Sequence, residues 1–98
     1  MLDGKYNVSL NTPLGNINGS ITLISNGNNV QGIIETMGMK NNFNGTKISN
    51  DMCKFTGSLN TPIGNITYNA KCSVFNNILT LEATTPQGNF QIKGNKIN

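Results

Sequence analysis

The sequence predicts an all-β fold: one domain over residues 1–98, a single eight-stranded antiparallel up-and-down barrel built from four hairpin repeats. Three observations predict it. Thr-Pro turn motifs recur at a nearly constant period, apolar and polar residues alternate between the turns, and the three prolines occur only in the turns. Alternation is typical of strands that bury one face, and proline is excluded from central strands because it has no amide hydrogen to donate.

The turn motifs define a repeat that contains one hairpin. The pattern Thr-Pro-x-Gly-Asn occurs at residues 12–16, 61–65 and 85–89, and Thr36-Met37-Gly38 is a degenerate fourth copy. The four threonines are separated by 24, 25 and 24 residues. A unit of this length with a turn in its middle has room for two short strands.

Two of these repeats are nearly identical in sequence. Residues 9–17 and 58–66 agree at eight of nine positions and differ only in the exchange of Leu14 for Ile63. This agreement indicates that one two-hairpin half of the chain arose by duplication of the other.

A second set of turns joins the repeats and completes the strand boundaries. Asn26-Gly27 is the strongest hairpin signal, because both central residues of a type I′ turn have positive φ. Asn76-Asn77 fits the same turn, and Ser49-Asn50-Asp51 fits a three-residue loop. Strands are therefore predicted at residues 4–11, 16–25, 28–36, 40–48, 52–60, 65–75, 78–84 and 89–97.

Pairing places the apolar residues on one common face. If Pro62-Ile63 occupy a turn centre, residues 59 and 66, 57 and 68, and 53 and 72 are paired. A turn centred on Asn26-Gly27 pairs 23 with 30 and 21 with 32. All these residues belong to the apolar face, which eight strands can bury by closing into a barrel.

On its sequential hairpins and repeated Thr-Pro-x-Gly turns, the chain resembles small bacterial up-and-down β-barrel domains, which are meanders of the lipocalin and streptavidin kind. The resemblance covers the whole chain. It implies a lipocalin-like closed meander, and it implies no particular ligand or catalytic residue.

Composition excludes several kinds of chemistry. The chain has no His, Arg or Trp, and its four acidic residues are Asp3, Glu35, Asp51 and Glu82. Imidazole acid–base catalysis and His-ligated metals are impossible without histidine. We therefore expect no enzyme activity, no catalytic residues, no cofactor and no metal.

Charge and hydropathy also restrict the partners and the location. The seven lysines are scattered and the net charge is only +3, which predicts no nucleic-acid partner. No apolar run approaches the roughly 18 residues of a membrane span, so no membrane partner is expected. Residues 1–5 lack the apolar segment of a secretory signal, and we expect a cytoplasmic location.

The inward-facing residues are the candidates for a ligand site. Five inward glycines, at positions 19, 32, 45, 57 and 94, have two interpretations: they let a filled barrel close narrowly, or they leave a cavity for a small apolar ligand. Lys47 and Lys96 either extend to the rim or meet a ligand carboxylate. The candidate lining residues are Tyr6, Phe43, Lys47, Phe55, Tyr68, Phe90 and Lys96.

The two cysteines are predicted cross-strand partners inside the barrel. Cys53 and Cys72 are either two buried thiols that pack as small apolar residues or a candidate disulfide. On the outer face, Lys54, Lys71 and Glu82 follow one another across three strands. They form either a solvated ladder or a weak anion patch.

Apolar residues outside the predicted core suggest an interaction surface. A homodimer or partner-protein contact could use the outward residues Ile24, Ile33, Ile48, Phe75 and Ile78. Met37 and Met39 could form an adaptable contact or cover one end of the barrel.

Two functions follow from the sequence. The first is a non-enzymatic binding or accessory module for a small apolar molecule or a partner protein. The alternative is a structural or protein-interaction domain with a solid core and no ligand.

Overall fold

The computed structural model describes residues 2–12, 15–36, 38–61, 64–86 and 88–97. Side chains are described for all of these except the residues that fall within 10–17 and 59–63. The described chain forms a closed antiparallel barrel in which eight strands follow one another in sequence order, as predicted. The strands are β1 (Gly4–Thr12), β2 (Gly15–Asn26), β3 (Asn29–Thr36), β4 (Met39–Ser49), β5 (Met52–Thr61), β6 (Gly64–Phe75), β7 (Ile78–Thr85) and β8 (Gly88–Lys96).

The predicted register of β5 and β6 is confirmed. Residues 59, 57, 55 and 53 pair with 66, 68, 70 and 72, and Thr61 pairs with Gly64 on either side of the turn. The predicted turn residues Pro13, Leu14, Pro62 and Ile63 lie outside the described residues, as does Met37.

The predicted register of β2 and β3 is wrong by two residues. Leu23 pairs with Gly32, and Asn26 with Asn29, so the turn is centred on residues 27 and 28. Gly27 has φ of 62° and Asn28 does not have positive φ, which fits a turn with glycine at its first central position. The shift preserves the inward face because it is an even number of residues.

The connection between β4 and β5 also differs from the prediction. Ser49 pairs with Met52, which leaves a two-residue turn at Asn50-Asp51 instead of a three-residue loop. Lys47 pairs with Cys53, so Ile48 is the extra residue of a β-bulge. The bulge absorbs the residue that the prediction had assigned to the loop.

The turn at Asn76-Asn77 is confirmed. These asparagines have φ of 52° and 65°, and both signs match a type I′ turn. Asparagine tolerates this left-handed conformation better than other residues with a side chain.

Closure joins β1 to β8 and removes both sheet edges. Tyr6 pairs with Lys96, and Val8 with Gly94. The barrel therefore has two ends. At the threonine end, β1, β3, β5 and β7 end at Thr12, Thr36, Thr61 and Thr85. The opposite end carries residues 2–3 and the turns at 27–28, 50–51 and 76–77.

The inward glycines narrow the barrel and do not leave space. A Cβ atom built on Gly45 would meet the carbonyl oxygen of Lys54, and one on Gly94 would meet that of Asn7. At all five predicted inward glycines the nearest atom would lie at 3.1 Å or less. The interpretation in which these glycines create a ligand cavity is therefore wrong.

Candidate binding site

Burial of the inward-facing residues changes along the barrel axis. Toward the end that carries residues 2–3, they are buried; examples are Leu23, Val30 and Leu79. Toward the threonine end, residues on the same face are only half-buried although they point inward. Inward-facing residues at the threonine end thus keep part of their surface exposed. We call these half-buried inward residues the mouth: Ile34, Asn41, Tyr68, Ala83, Phe90 and Ile92.

An aromatic stack forms the floor of the mouth. The rings of Phe43 and Phe55 are stacked with centroids 4.0 Å apart, and Tyr68 meets Phe55 edge-on at 5.9 Å. Phe43 and Phe55 are buried, whereas Tyr68 reaches the half-buried zone. Below the mouth the interior is therefore filled by side chains.

Two polar groups accompany the apolar walls of the mouth. Burial raises the pKa of Tyr68 above its usual value, so its hydroxyl stays protonated at neutral pH. Asn41 pairs with Ile34 on the inward face, and its Nδ2 is buried without a hydrogen-bond partner. An unpaired buried amide donor is costly, so the described side chains of the mouth include an unsatisfied donor.

The opposite end is closed by the two residues before β1, Leu2 and Asp3, which we call the clasp. Leu2 is 1% exposed, and its carbonyl oxygen accepts a hydrogen bond of 2.7 Å from the Tyr6 hydroxyl. Asp3 Oδ1 accepts hydrogen bonds from the Ser25 backbone amide at 2.8 Å and from the Ser25 hydroxyl at 2.6 Å.

Charge supports the same contact. The hydrogen bond from the Ser25 side chain lowers the pKa of Asp3. Desolvation acts in the opposite direction. The hydrogen bond from the Ser25 amide and the positive charges of Lys47 and Lys96 lower the pKa further. These two lysines are half-buried and act at the clasp, far along the barrel from the mouth. Their positive charges act on a carboxylate of this chain.

The seven candidate lining residues therefore do not form one pocket. Tyr68 and Phe90 belong to the mouth, and Phe43 and Phe55 form its floor. Tyr6, Lys47 and Lys96 lie at the clasp end. Sequence reasoning missed Leu2 and Asp3, because the alternation pattern carries no information about residues outside the strands. It missed Ser25, which lies within β2, because its partner Asp3 lies outside them.

Cys53 and Cys72 are paired residues of β5 and β6, as predicted. Both are buried free thiols, and their Sγ atoms are 3.0 Å apart. The geometry brings two oxidisable groups side by side in the core.

The outer surface carries shallow grooves. One groove of about 610 Å³ is lined by Lys54, Lys71 and Glu82 together with neutral polar residues. The predicted order is confirmed, since Lys71 pairs with both Lys54 and Glu82. A second groove of about 690 Å³ lies over β1, β2 and β8. Both signs of charge in the first groove favour the solvated ladder over a dedicated anion site.

Within the described ranges, no three His, Cys, Asp or Glu side chains are grouped as metal ligands. In that same part of the chain, no helix has the length and hydropathy needed to cross a membrane.

Comparison with known proteins shows the fold alone. No protein-family model matches the chain, and no curated protein matches it. A solved structure of a redesigned β-barrel, b11L5F_LGL, is similar with a TM-score of 0.68 and 13% sequence identity. The match covers 99% of this chain and 91% of the designed one.

Proposed function

We propose that the protein is a non-enzymatic binding module that takes a small apolar molecule at its mouth. The observation that carries this proposal is the half-burial of inward-facing apolar residues at the threonine end, beside a filled lower barrel. Concave apolar surfaces with a few polar groups are the usual form of small-molecule sites. The ligand covers the mouth and rests on the Phe43–Phe55 stack.

The polar groups of the mouth restrict the class of ligand. Asn41 Nδ2 is a donor without a partner, and the Tyr68 hydroxyl is protonated at neutral pH. A small apolar molecule with one hydrogen-bond acceptor fits both groups.

A fluorescent probe tests this function. We expect 1-anilinonaphthalene-8-sulfonate, an aromatic sulfonate, to bind saturably with increased fluorescence. Ala83→Phe fills the mouth and should weaken binding at least about tenfold, a change of about 1.4 kcal/mol. Thr84→Phe adds the same ring on the outer face of the same strand and should not weaken binding.

The outcomes separate the two functions deduced from the sequence. Equal affinity of the wild type and Ala83→Phe would contradict binding at the mouth. No saturable binding of the probe would contradict the ligand function. Ala83→Leu, a smaller filler, replaces Ala83→Phe if thermal melting shows that the larger variant is unfolded.

A second candidate is a protein-interaction domain, which one outer patch favours. Phe75 is 76% exposed and pairs directly with Ile78 at the end of β6. Ile97, also exposed, lies diagonal to Ile78, because Ile78 pairs with Asn95. The other outward candidates are separate: Ile24 and Ile33 lie on β2 and β3, and Ile48 lies at the bulge.

Sedimentation velocity at several concentrations tests self-association through the patch formed by Phe75, Ile78 and Ile97. We expect the wild type to form dimers that Phe75→Ser disrupts. Ile24→Ser should leave the dimers intact, because β2 lies four strands away from β6 around the barrel. A monomer at every concentration would contradict a homodimer. The exposed Met39 lies at the threonine end, outside this patch.

A further inference from the structure

The backbone brings the two cysteines within reach of a covalent bond, which would have to draw their Cβ atoms somewhat closer together than in a typical hydrogen-bonded pair. The Val74 amide donates to the Asp51 carbonyl oxygen at 2.9 Å, so Cys53 and Cys72, two residues further along each strand, occupy an equivalent hydrogen-bonded pair. The Cα atoms of such pairs are typically about 5.5 Å apart. Disulfides bridge Cα separations of about 4.4–6.8 Å.

The thiols lie near the clasp end of the core. Cys53 is 0% and Cys72 1% exposed, and both belong to one buried cluster with Leu2 and Tyr6. Cys53 is two residues from the Asn50-Asp51 turn and eight from Thr61. At about 3.3 Å per residue, Cys53 lies closer to the clasp end of the barrel than to the threonine end.

Tyr6 connects the thiols to the clasp. The pKa of Tyr6 is raised to about 12. Burial is the main cause, and the charges of Cys72, Asp3 and Cys53 raise it further. Its protonated hydroxyl donates to the Leu2 carbonyl oxygen. Both residues of the clasp are thus fixed by hydrogen bonds, Leu2 by one from Tyr6 and Asp3 by two from Ser25.

We propose that Cys53 and Cys72 form an oxidation site that closes to an intramolecular disulfide, and that the clasp controls access of the oxidant. The oxidant is hydrogen peroxide. The sulfur of one cysteine attacks one peroxide oxygen, the O–O bond breaks, and that cysteine becomes a sulfenic acid while water leaves. The sulfur of the other cysteine then attacks the sulfenic sulfur, and the sulfenic oxygen leaves as a second water with the thiol proton.

The geometry of the pair is compatible with either order of reaction. Either sulfur can donate the hydrogen bond between the thiols, so either cysteine can be oxidised first and the other then resolves it.

Mass measurement tests the disulfide. The reduced full chain is treated with stoichiometric hydrogen peroxide, denatured and exposed to N-ethylmaleimide. We expect a loss of two hydrogens and no maleimide adduct, whereas Cys72→Ser should stop at an oxygen adduct on Cys53. Oxygen adducts on the wild type without loss of hydrogen, or disulfide-linked dimers, would overturn the proposal.

Alkylation rates test the clasp. In the reduced native protein, Asp3→Ala and Ser25→Ala should each make N-ethylmaleimide react about tenfold faster, since local opening of the clasp then costs less free energy. Glu35→Gln, a carboxylate change on the outer face of β3, should react at the wild-type rate. Asn77→Val serves as a generally destabilised control and should not reproduce the acceleration.

The two clasp variants keep this test decisive. Circular dichroism identifies a variant that has lost the barrel, and the remaining variant is then compared with Glu35→Gln. If both variants are folded and react at the rate of Glu35→Gln, the clasp does not control access, and this part of the proposal is wrong.

Discussion

Asn41 is a polar residue on the inward face of the barrel, where most residues are apolar. It lies on the inward face opposite Ile34, and its buried Nδ2 has no partner. A buried donor without a partner costs about 1–3 kcal/mol. A residue that weakens the free protein in this way is explained if a ligand supplies the missing acceptor.

Replacing this amide should separate stability from binding. We expect Asn41→Leu to raise the free energy of unfolding of the free protein by about 1 kcal/mol, because the unpaired donor is removed. It should also weaken binding of 1-anilinonaphthalene-8-sulfonate. Urea denaturation and probe titration measure the two effects, with the exposed Asn42→Leu as control. A destabilised Asn41→Leu with unchanged affinity would contradict this role.

Asp3 is the residue that makes the clasp sensitive to pH. Its pKa is below the ordinary value of 3.8, so the unfolded chain takes up the proton first as the pH falls. The stabilisation is therefore complete above about pH 3.8 and is lost as the pH falls through the lowered folded value.

The pH dependence can be checked with one conservative variant. Asp3→Asn keeps an acceptor but loses the charge, and it should lower Tm by roughly 3–6 °C at pH 7. The difference in Tm from the wild type should stay constant between pH 7 and 5 and shrink below pH 3.8. A difference that persists unchanged at pH 2.5 would show that the charge of Asp3 is not the cause.

Among the elements, the hairpin turns carry most of the conformational restriction. Asn76 and Asn77 both have positive φ, which branched side chains adopt only with strain. This turn also precedes Ile78, which belongs to the exposed apolar patch. Its geometry therefore fixes both the register of β6 and β7 and the position of that patch.

Substitution in this turn should depend on side-chain shape. We expect Asn77→Val to lower the free energy of unfolding by about 1–2 kcal/mol, because a left-handed conformation is unfavourable for a branched residue. Asn77→Gly should be neutral or stabilising. Urea denaturation measures both variants, and Asn69→Val, on the exposed face of β6, is the control. Equal stability of Asn77→Val and Asn77→Gly would contradict the turn assignment.

The elements also show what sequence reasoning could reach. All eight strands and the pairing of β5 with β6 were predictable, because Thr61 and Gly64 bracket a short turn and the faces alternate strictly. The run from Asn26 to Asn29 offers two turn placements that differ by two residues. Both keep the same inward face, so alternation could not choose between them.

The candidate site was less predictable than the fold. The alternation identified Tyr68 and Phe90 as inward residues but gave no measure of how open each end of the barrel is. Closure of the lower end depends on Leu2, whose contact with Tyr6 spans the barrel rim. Such a contact depends on tertiary packing and leaves no periodic signal in the sequence.

At the scale of the whole molecule, the inward residues are buried at one end of the barrel and half-buried at the other. The barrel's extents are 35 × 22 × 22 Å. Its filled lower part lies next to the clasp, and the mouth lies at the threonine end. The outer face is mostly neutral and polar. On this asymmetry rest the two proposals made above, ligand binding at the mouth and oxidation at the clasp end.

Methyl-resolved NMR during titration with 1-anilinonaphthalene-8-sulfonate tests the central claim most directly. We predict shifts concentrated at the mouth methyls of Ile34, Ala83 and Ile92. The methyls of Leu2 and Leu79, at the closed end, should not move. Shifts confined to outer residues such as Ile78, or to the clasp end, would contradict a binding site at the mouth.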